Sequence, residues 1–304
     1  MKTAIMFSGQ GSQYPLMGID VINLKHNEDK VKRAENILGF NIKKALKNEN
    51  NELSNTKYTQ PLMVLVSILL FDEYKIQNQV HGLVGFSLGE YSALYSSGLY
   101  SFDDVIRLVK YRSELMEEAC KLYPGKMIAV LNADLTLLED LVSSINNEDD
   151  IVSVANYNSR KQIVLSGNNS GIDKIIDHLR ANNIKRIVPL NVSGAFHSIL
   201  MKDASISLNK YLNSLVKLNI EYPIYLKTTS KPLKIDKLEV EMTKQMYSPV
   251  LFYQAIENMI NDGYTKFIEI GPGKVLRNIV YKNYPDVLVE NIEKLDDLNK
   301  LEVF

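Results

Sequence analysis

The segment LVGFSLGE, residues 83–90, constrains the fold more than any other stretch, because it places a serine between two glycines after an apolar run. A strand that ends at Gly85 must turn sharply there into a helix that starts near Leu88. Glycines on both sides of Ser87 let the backbone bend tightly enough to expose the serine hydroxyl. The spacing therefore predicts a strand, a nucleophile elbow and a helix, an arrangement typical of α/β proteins.

The predicted helix after Ser87 gives the turn its chemistry. The first amides of a helix have no acceptor within it, so they point back at the serine and can stabilise an oxyanion that forms on an attacked carbonyl. Such a turn serves acyl transfer or ester hydrolysis. The alternative is an incidental turn of small residues, since the G-x-S-x-G spacing also occurs by chance.

Two more predicted strands end in turns that contain glycine. Residues 3–7 form a buried apolar run that opens into SGQGSQ at 8–13, and residues 266–270 run into GPG at 271–273. The carboxyl ends of parallel strands share one edge of a sheet, where ligands bind. The three glycine turns are therefore expected to lie together at a functional edge.

Helical patterns cover residues 29–38, 61–77 and 102–122. In the last of these, apolar residues recur at helical spacing and leave Arg112 off the apolar stripe. Periodicity alone therefore favours a solvated side chain for Arg112.

A second unit follows Pro124-Gly125. Strand patterns at 126–131, 151–157, 162–167 and 187–192 alternate with helical patterns at 135–145 and 172–179. The order βαββαβ matches the ferredoxin-like split βαβ arrangement. We therefore predict a small inserted subdomain at 125–193, with residues 1–124 and 194–304 forming an α/β core around a parallel sheet.

Composition excludes several classes of protein. The 35 basic and 36 acidic residues give a net charge of −1, which offers no footprint for nucleic acid or an anionic membrane. Cys120 is the single cysteine, and the four histidines are scattered, so neither an internal disulfide nor a zinc site is expected. The apolar runs are too short for a signal peptide core or a membrane span. A soluble, cytoplasmic protein without a metal is predicted.

A reactive serine needs a base, and histidine is the usual one because its pKa lies near neutrality. His26 stands in a polar stretch, His178 lies off the apolar face of its helix, and His81 begins the strand that precedes the elbow. His197 lies at the return from the small unit, where a cleft is expected. It is the candidate base, with a purely structural histidine as the alternative.

Along nearly its whole length the chain resembles the malonyl-CoA:acyl carrier protein transacylase family, including the freestanding acyltransferases of polyketide assembly lines. The matching segments are SGQGSQ at 8–13, YTQP at 58–61, GFSLG at 85–89, YRSELM at 111–116, GAFHS at 194–198, QMYSPV at 245–250 and EIGPG at 269–273. The resemblance implies a hydrolase-like α/β core with a ferredoxin-like insert, in agreement with the predicted strand order.

The resemblance also implies the roles of individual residues. Ser87 would be the nucleophile and His197 its general base, oriented by the backbone carbonyl of Gln245 instead of an acidic residue. The backbone amides of Gln10 and Leu88 would form the oxyanion hole.

Three further residues would form the acyl pocket. Arg112 would pair with the free carboxylate of a malonyl group, a task that suits its bidentate guanidinium. Phe86 and Phe196 would be walls that keep the pocket dry. Phe86 departs from the family pattern, which usually has histidine directly before the serine.

The implied reaction has two half-reactions. Malonyl-CoA would acylate Ser87, and the phosphopantetheine thiol of an acyl carrier protein would then take the acyl group, with no bound cofactor. A monomer is usual in the family. The GAFH segment resembles the polyketide-associated members more closely, although fatty-acid synthesis stays open.

Two other functions stay open at this point. One is an acyl hydrolase that strips stalled acyl groups from carrier proteins, a possibility raised by the change at Phe86. Arg112 argues against it, because a simple acyl chain would leave the guanidinium unpaired in a dry site. The other is a non-catalytic subunit that holds a carrier protein, and the presence of both Ser87 and His197 argues against that function.

Overall fold

The computed structural model describes residues 1–301. Its strands are β1 (Thr3–Phe7), β2 (Gly82–Gly85), β3 (Gly125–Leu131), β4 (Val152–Ser159), β5 (Gln162–Asn168), β6 (Ile187–Pro189), β7 (Ile224–Tyr225), β8 (Lys266–Ile270) and β9 (Leu288–Ile292). Its α-helices are α1 (Ile19–Ile22), α2 (Glu28–Leu38), α3 (Ile42–Lys47), α4 (Thr56–Lys75), α5 (Gly89–Ser96), α6 (Phe102–Leu122), α7 (Leu135–Ile145), α8 (Asn169–Ala181), α9 (Lys202–Leu212), α10 (Leu238–Lys244), α11 (Phe252–Asn261), α12 (Val275–Asn283) and α13 (Leu295–Leu298).

The larger sheet is parallel, with strand order β7-β2-β1-β8-β9. Strand β1 pairs with β2 on one side and with β8 on the other, so the three strands with glycine turns are neighbours. Their carboxyl ends therefore meet at one edge, as predicted. All five residues of β1 and of β8 are buried, as expected for central strands of a parallel sheet that is covered on both faces.

Two long helices support this edge. Asn55 caps α4 by accepting a hydrogen bond from the Lys57 amide, and Ser101 caps α6 in the same way at Asp104. The two helices pack against each other. Helix α6 has the bounds predicted from its apolar stripe, whereas α4 starts at Thr56, five residues before the predicted residue 61.

The smaller sheet is antiparallel, with strand order β4-β5-β3-β6, and helices α7 and α8 pack on it. This is the predicted ferredoxin-like arrangement. The pleat of β3 divides its side chains between two cores: Ile128 and Val130 face α7 and α8, whereas Met127 and Ala129 belong to the core of the large sheet. The limits of the subdomain at 125 and 193 remain a prediction.

The two sheets are joined through Val250. Its amide donates to the Ala155 carbonyl at 2.8 Å, and its carbonyl accepts from the Tyr157 amide at 2.8 Å. The outer edge of β4 is thereby attached to the segment that leads into α11.

Some elements differ from the prediction. Strand β6 covers Ile187–Pro189 instead of 187–192, because the chain leaves the sheet early to line the site. Strands β7 and β9 were not predicted, and β7 has only two residues, too few for a periodic pattern. Within residues 1–301, no helix combines the length and apolar character needed to cross a bilayer.

Candidate active site

The turn between β2 and α5 bends at the serine itself. Ser87 has φ of 53°, in the left-handed region, whereas Gly85 and Gly89 do not. The glycines are needed for close packing: a Cβ on Gly85 would lie 2.1 Å from the Glu90 nitrogen, and one on Gly89 would lie 2.1 Å from the Phe7 carbonyl oxygen. The prediction that glycine flexibility makes the bend is therefore corrected, because Ser87 takes the strained conformation.

Ser87 and His197 are in direct contact. Ser87 Oγ lies 2.7 Å from Nε2 of His197, and Nδ1 of the ring lies 3.1 Å from the backbone oxygen of Gln245. His197 also has positive φ, 59°, and its amide donates to the Met246 carbonyl at 3.2 Å. The backbone thus fixes the ring between the serine and the Gln245 carbonyl.

His197 is 4% exposed. Burial lowers the pKa of His197 well below its ordinary value, and the positive charges of Lys227 and Arg112 lower it further, while the Gln245 carbonyl acts in the opposite direction. The imidazole is therefore neutral in the resting site, which is the form that can take a proton from serine.

The other three histidines lie elsewhere. His26 is exposed and contacts Glu73, His178 is exposed on α8, and Nδ1 of His81 accepts a hydrogen bond from the Thr3 amide. The structure thus brings one histidine of the four to the serine.

The two residues whose backbone amides are the predicted oxyanion hole line the same cavity as Ser87. Gln10 lies in the turn after β1, and Leu88 precedes α5; both line this cavity. Within residues 1–301, neither amide has a hydrogen-bond acceptor. Free amides beside a nucleophile are what an oxyanion hole requires.

Arg112 is buried, in contrast to the expectation from helical periodicity. It is 1% exposed, donates to Gln60 Oε1 at 2.6 Å and Gln245 Oε1 at 3.3 Å, and lies over the Tyr91 ring. Periodicity failed because α6 is covered on a second side by the elements that form the site. The Nε of Arg112 has no partner within residues 1–301, although the side chain lines the cavity.

Two glutamines connect the site, and sequence reasoning assigned side-chain roles to neither. The Gln245 side chain donates to the Ser87 carbonyl at 2.6 Å while it accepts from Arg112. Gln60 accepts from Arg112 and donates to Gln10 Oε1 at 3.1 Å. The turn after β1, the elbow and the arginine are therefore held in one hydrogen-bond network. In the sequence, the signal for these two glutamines was their place in the YTQP and QMYSPV segments, which match the family.

Sequence reasoning also missed Glu90 and Lys227. Both are 1% exposed, and the Lys227 amide donates to Glu90 Oε1 at 2.6 Å. The Lys227 amine lies 2.8 Å from Nδ1 of His197. Glu90 stood within the elbow segment, but nothing in the sequence around Lys227 indicates a buried position.

The cavity above Ser87 measures about 330 Å³, within the range of small-molecule sites. Phe86 and Phe196 line it, and the Phe86 ring packs edge-on against Phe252 at 5.4 Å. The small sheet supplies another wall, formed by Met127, Ala129 and Val164. The site therefore lies between the two sheets, with the titratable groups on one side and uncharged side chains on the other.

The chain matches known proteins over almost its full length. A family model described as acyl transferase domain matches residues 5–298. The malonyl CoA-acyl carrier protein transacylase of Staphylococcus aureus (strain COL) is 36% identical over 301 residues, which cover 98% of this chain and 97% of the relative. The Synechocystis protein of the same name is 36% identical over 303 residues, 99% of this chain and all of the relative.

Solved structures agree with this match. The MCAT of Streptococcus pneumoniae superposes with a TM-score of 0.92 at 35% identity, and the match covers 99% of this chain and 100% of that one. A malonyl-transacylase in complex with a type II polyketide synthase acyl-carrier protein has a TM-score of 0.92 at 27% identity, with 99% and 98% of the two chains covered.

Proposed function

Because the chain belongs to the acyl transferase family, we propose that it moves a malonyl group from malonyl-CoA to the phosphopantetheine thiol of an acyl carrier protein through a Ser87 acyl-enzyme. The observation that carries this proposal is the 2.7 Å contact of Ser87 with His197 in a cavity that Arg112 also lines. The relatives' names supply the substrate and the acceptor.

In the first half-reaction, His197 Nε2 takes the proton of Ser87 as the serine oxygen attacks the thioester carbonyl of malonyl-CoA. The resulting oxyanion receives hydrogen bonds from the amides of Gln10 and Leu88. The imidazolium that forms donates a hydrogen bond from its Nδ1–H to the Gln245 carbonyl. Collapse of the intermediate breaks the carbon–sulfur bond, and the leaving coenzyme A takes the proton from Nε2.

The second half-reaction reverses these roles. His197 takes the proton of the phosphopantetheine thiol, and the sulfur attacks the ester carbonyl of the acyl-enzyme. The same two amides hold the oxyanion. The carbon–oxygen bond to Ser87 then breaks, and Nε2 returns a proton to the serine oxygen.

Arg112 is assigned to the carboxylate of the malonyl group. Its guanidinium donates to Gln60 and Gln245, and its Nε has no partner among residues 1–301. A buried cation needs an anionic partner, and malonyl provides one. This assignment favours malonyl over acetyl groups.

Phe86 and Phe196 limit the access of water to the ester in this proposal, so that a thiol reacts in place of water. The reaction needs no bound cofactor, because described residues and the two substrates supply every nucleophile and proton. The proposal also includes a cytoplasmic location and a monomeric state for the enzyme. The carrier protein can belong to fatty-acid or polyketide synthesis.

The test is to incubate the protein with radiolabelled malonyl-CoA or acetyl-CoA and to map the labelled peptide. Malonyl label on Ser87 is expected, and Ser87→Ala should abolish it, since the acylated oxygen is absent. Ser92→Ala is the matched control, because Ser92 is a buried serine on α5, the helix that follows the Ser87 turn, and does not line the cavity. Labelling by acetyl but not malonyl groups would refute the proposal.

Addition of the carrier protein separates transferase from hydrolase. A transferase passes the label to the carrier thiol, with little free malonate. Release of free acid in place of transfer would favour the hydrolase function, for which the change at Phe86 is the one supporting observation.

A further inference from the structure

Lys227 is a buried amine that the mechanism above does not use. It follows β7 at the same sheet edge as the elbow, and its amine lies 2.8 Å from Nδ1 of His197. The amine also donates to the Ser248 carbonyl at 3.3 Å. The inference drawn from it rests on the proposed acyl transfer by Ser87 and His197.

Two groups compete for the same ring nitrogen. Nδ1 of His197 lies 3.1 Å from the Gln245 carbonyl oxygen and 2.8 Å from the Lys227 amine. A carbonyl only accepts hydrogen bonds, so it requires a proton on Nδ1. An ammonium group only donates, so it requires a bare Nδ1. The two contacts therefore favour opposite tautomers when Lys227 is charged.

The tautomer decides whether the ring can act as a base. With the proton on Nδ1, Nε2 has a free lone pair directed at Ser87 Oγ. With the proton on Nε2, the ring donates to the serine and cannot take its proton. A neutral amine resolves the conflict, because its lone pair can accept a hydrogen bond from Nδ1–H, as the Gln245 carbonyl does.

We propose that Lys227 is a positioning residue whose protonation state selects the tautomer of His197: the neutral amine holds the active tautomer, and the ammonium holds an idle one.

Every group packed around the amine affects this state. Burial lowers the pKa of Lys227 well below its ordinary value, Glu90 on α5 opposes that shift, and Arg112 on α6 adds to it. The remaining neighbours are the His197 ring and the Ser248 carbonyl. The amine therefore loses its proton at a lower pH than an exposed lysine does.

Two substitutions separate this role from a structural one. Lys227→Arg keeps a permanent charge and only donates, so it should hold the idle tautomer and slow Ser87 acylation by about 10²-fold or more, the usual contribution of a general base. Lys227→Met has a similar length but no amine, so Nδ1–H of His197 keeps only its hydrogen bond to the Gln245 carbonyl. It should acylate faster than Lys227→Arg at every pH.

If Lys227 only balanced the charge of Glu90, the two acylation rates would have the opposite order. Lys227→Arg would acylate faster than Lys227→Met, since arginine keeps the positive charge and methionine removes it. Lys266→Arg is the matched control for the cost of placing arginine at a buried lysine, because Lys266 is 6% exposed at the far end of β8. Thermal unfolding of all variants identifies any that fail to fold.

The wild-type protein supplies a test that needs no variant. Labelling of the histidines with ¹⁵N allows NMR to report which nitrogen of His197 carries the proton across the range of about pH 6 to 9. The Nδ1–H form should replace the Nε2–H form as pH rises, in parallel with the acylation rate. An Nδ1–H form at every pH, or a Lys227→Arg variant that acylates at least as fast as Lys227→Met, would overturn the inference.

Failure of the inference differs from failure of the proposed function. In the first case the wild-type protein still carries malonyl label on Ser87, and only the tautomer or the variant order is wrong. In the second case no label reaches Ser87 at any pH.

Discussion

The two sheets of this protein bury different kinds of side chain. At the carboxyl edge of the parallel sheet, Glu90, Arg112, His197 and Lys227 are all 4% exposed or less. The core between the antiparallel sheet and its helices consists of apolar residues such as Ile128, Val130 and Leu165. The parallel sheet therefore buries charged and titratable groups at one edge, whereas the antiparallel sheet and its helices bury an apolar core.

The difference also shows how a buried charge is tolerated. A lone ion in an apolar core costs several kcal/mol, but the charges at the parallel edge are close to one another and to amide groups that satisfy them. Burial raises the pKa of Glu90 and lowers the pKa of Lys227, and the interaction between the two charges opposes both shifts. Such shifts concentrate where chemistry occurs.

The largest expected effect comes from Arg112, on the charged side of the cavity. Arg112→Ala should reduce the preference for malonyl-CoA over acetyl-CoA, because it removes a charge-assisted pair of about 2–4 kcal/mol, or roughly 30- to 1000-fold in kcat/KM. Competition between the two thioesters for Ser87 measures this ratio.

Arg107→Ala is the matched control for that experiment. Arg107 lies on the same helix, but its side chain is 48% exposed and contacts Asp103 and Asp104. The acyl preference should not change in this variant. An unchanged preference in Arg112→Ala would contradict the prediction that the charged side of the cavity selects the acyl group.

The next effect concerns stability and pH. Glu269 is fully buried at the end of β8 and accepts a hydrogen bond from the Arg277 amide at 2.7 Å, and burial raises its pKa from 4.5 to about 7. The folded protein therefore holds this proton more tightly than the unfolded chain. The stabilisation is fully present below about pH 4.5 and is lost as pH rises to about 7, a change of about 3 kcal/mol.

Urea unfolding of the wild-type protein and Glu269→Gln across this range tests the sign. The difference between their free energies of unfolding should change in favour of the variant as pH rises, because glutamine cannot ionise. Glu148→Gln is the control, since it removes a charge from an exposed position in the region of the small sheet. Equal pH dependence in Glu269→Gln and wild type would contradict the prediction.

The smallest effect should come from the apolar wall. Ala129→Leu adds volume to the cavity face of β3 and should raise the KM for malonyl-CoA severalfold, since overpacking of this kind costs about 1–3 kcal/mol at most sites and the cavity is partly open. The pH profile of acylation should stay the same. Steady-state kinetics at several pH values checks both outcomes.

Val130→Ala is the control on the opposite face of β3. Its side chain is 1% exposed against α7 and α8, so the variant should lower the free energy of unfolding by roughly 1–3 kcal/mol and leave the KM unchanged. If Val130→Ala changed the KM as much as Ala129→Leu, the two faces of the small sheet would not have separate roles.

Much of the fold could be predicted because local patterns report it. The βαββαβ order and helix α6 follow from hydrophobic periodicity and turn residues, and the turns after β1 and β2 follow apolar runs. Strand β7 was not predicted because two residues contain too little pattern, and β9 was not predicted because Glu290 and Asn291 interrupt its apolar residues. The burial of Arg112 was not predicted, because periodicity identifies one buried face of a helix and α6 is covered on a second face.

The candidate site divides in the same way. The Ser87 turn is local, so the sequence by itself determined it. The turn lies at the end of a strand, and the close packing on both sides of the serine requires glycine at 85 and 89. The contact of that serine with His197, 110 residues away in the chain, depends on how the segment after β6 packs against the backbone of Gln245 and Met246. Only the tertiary structure decided that Lys227 lies against His197 and that Glu90 is buried beneath it, because burial and charge proximity are properties of the packed chain.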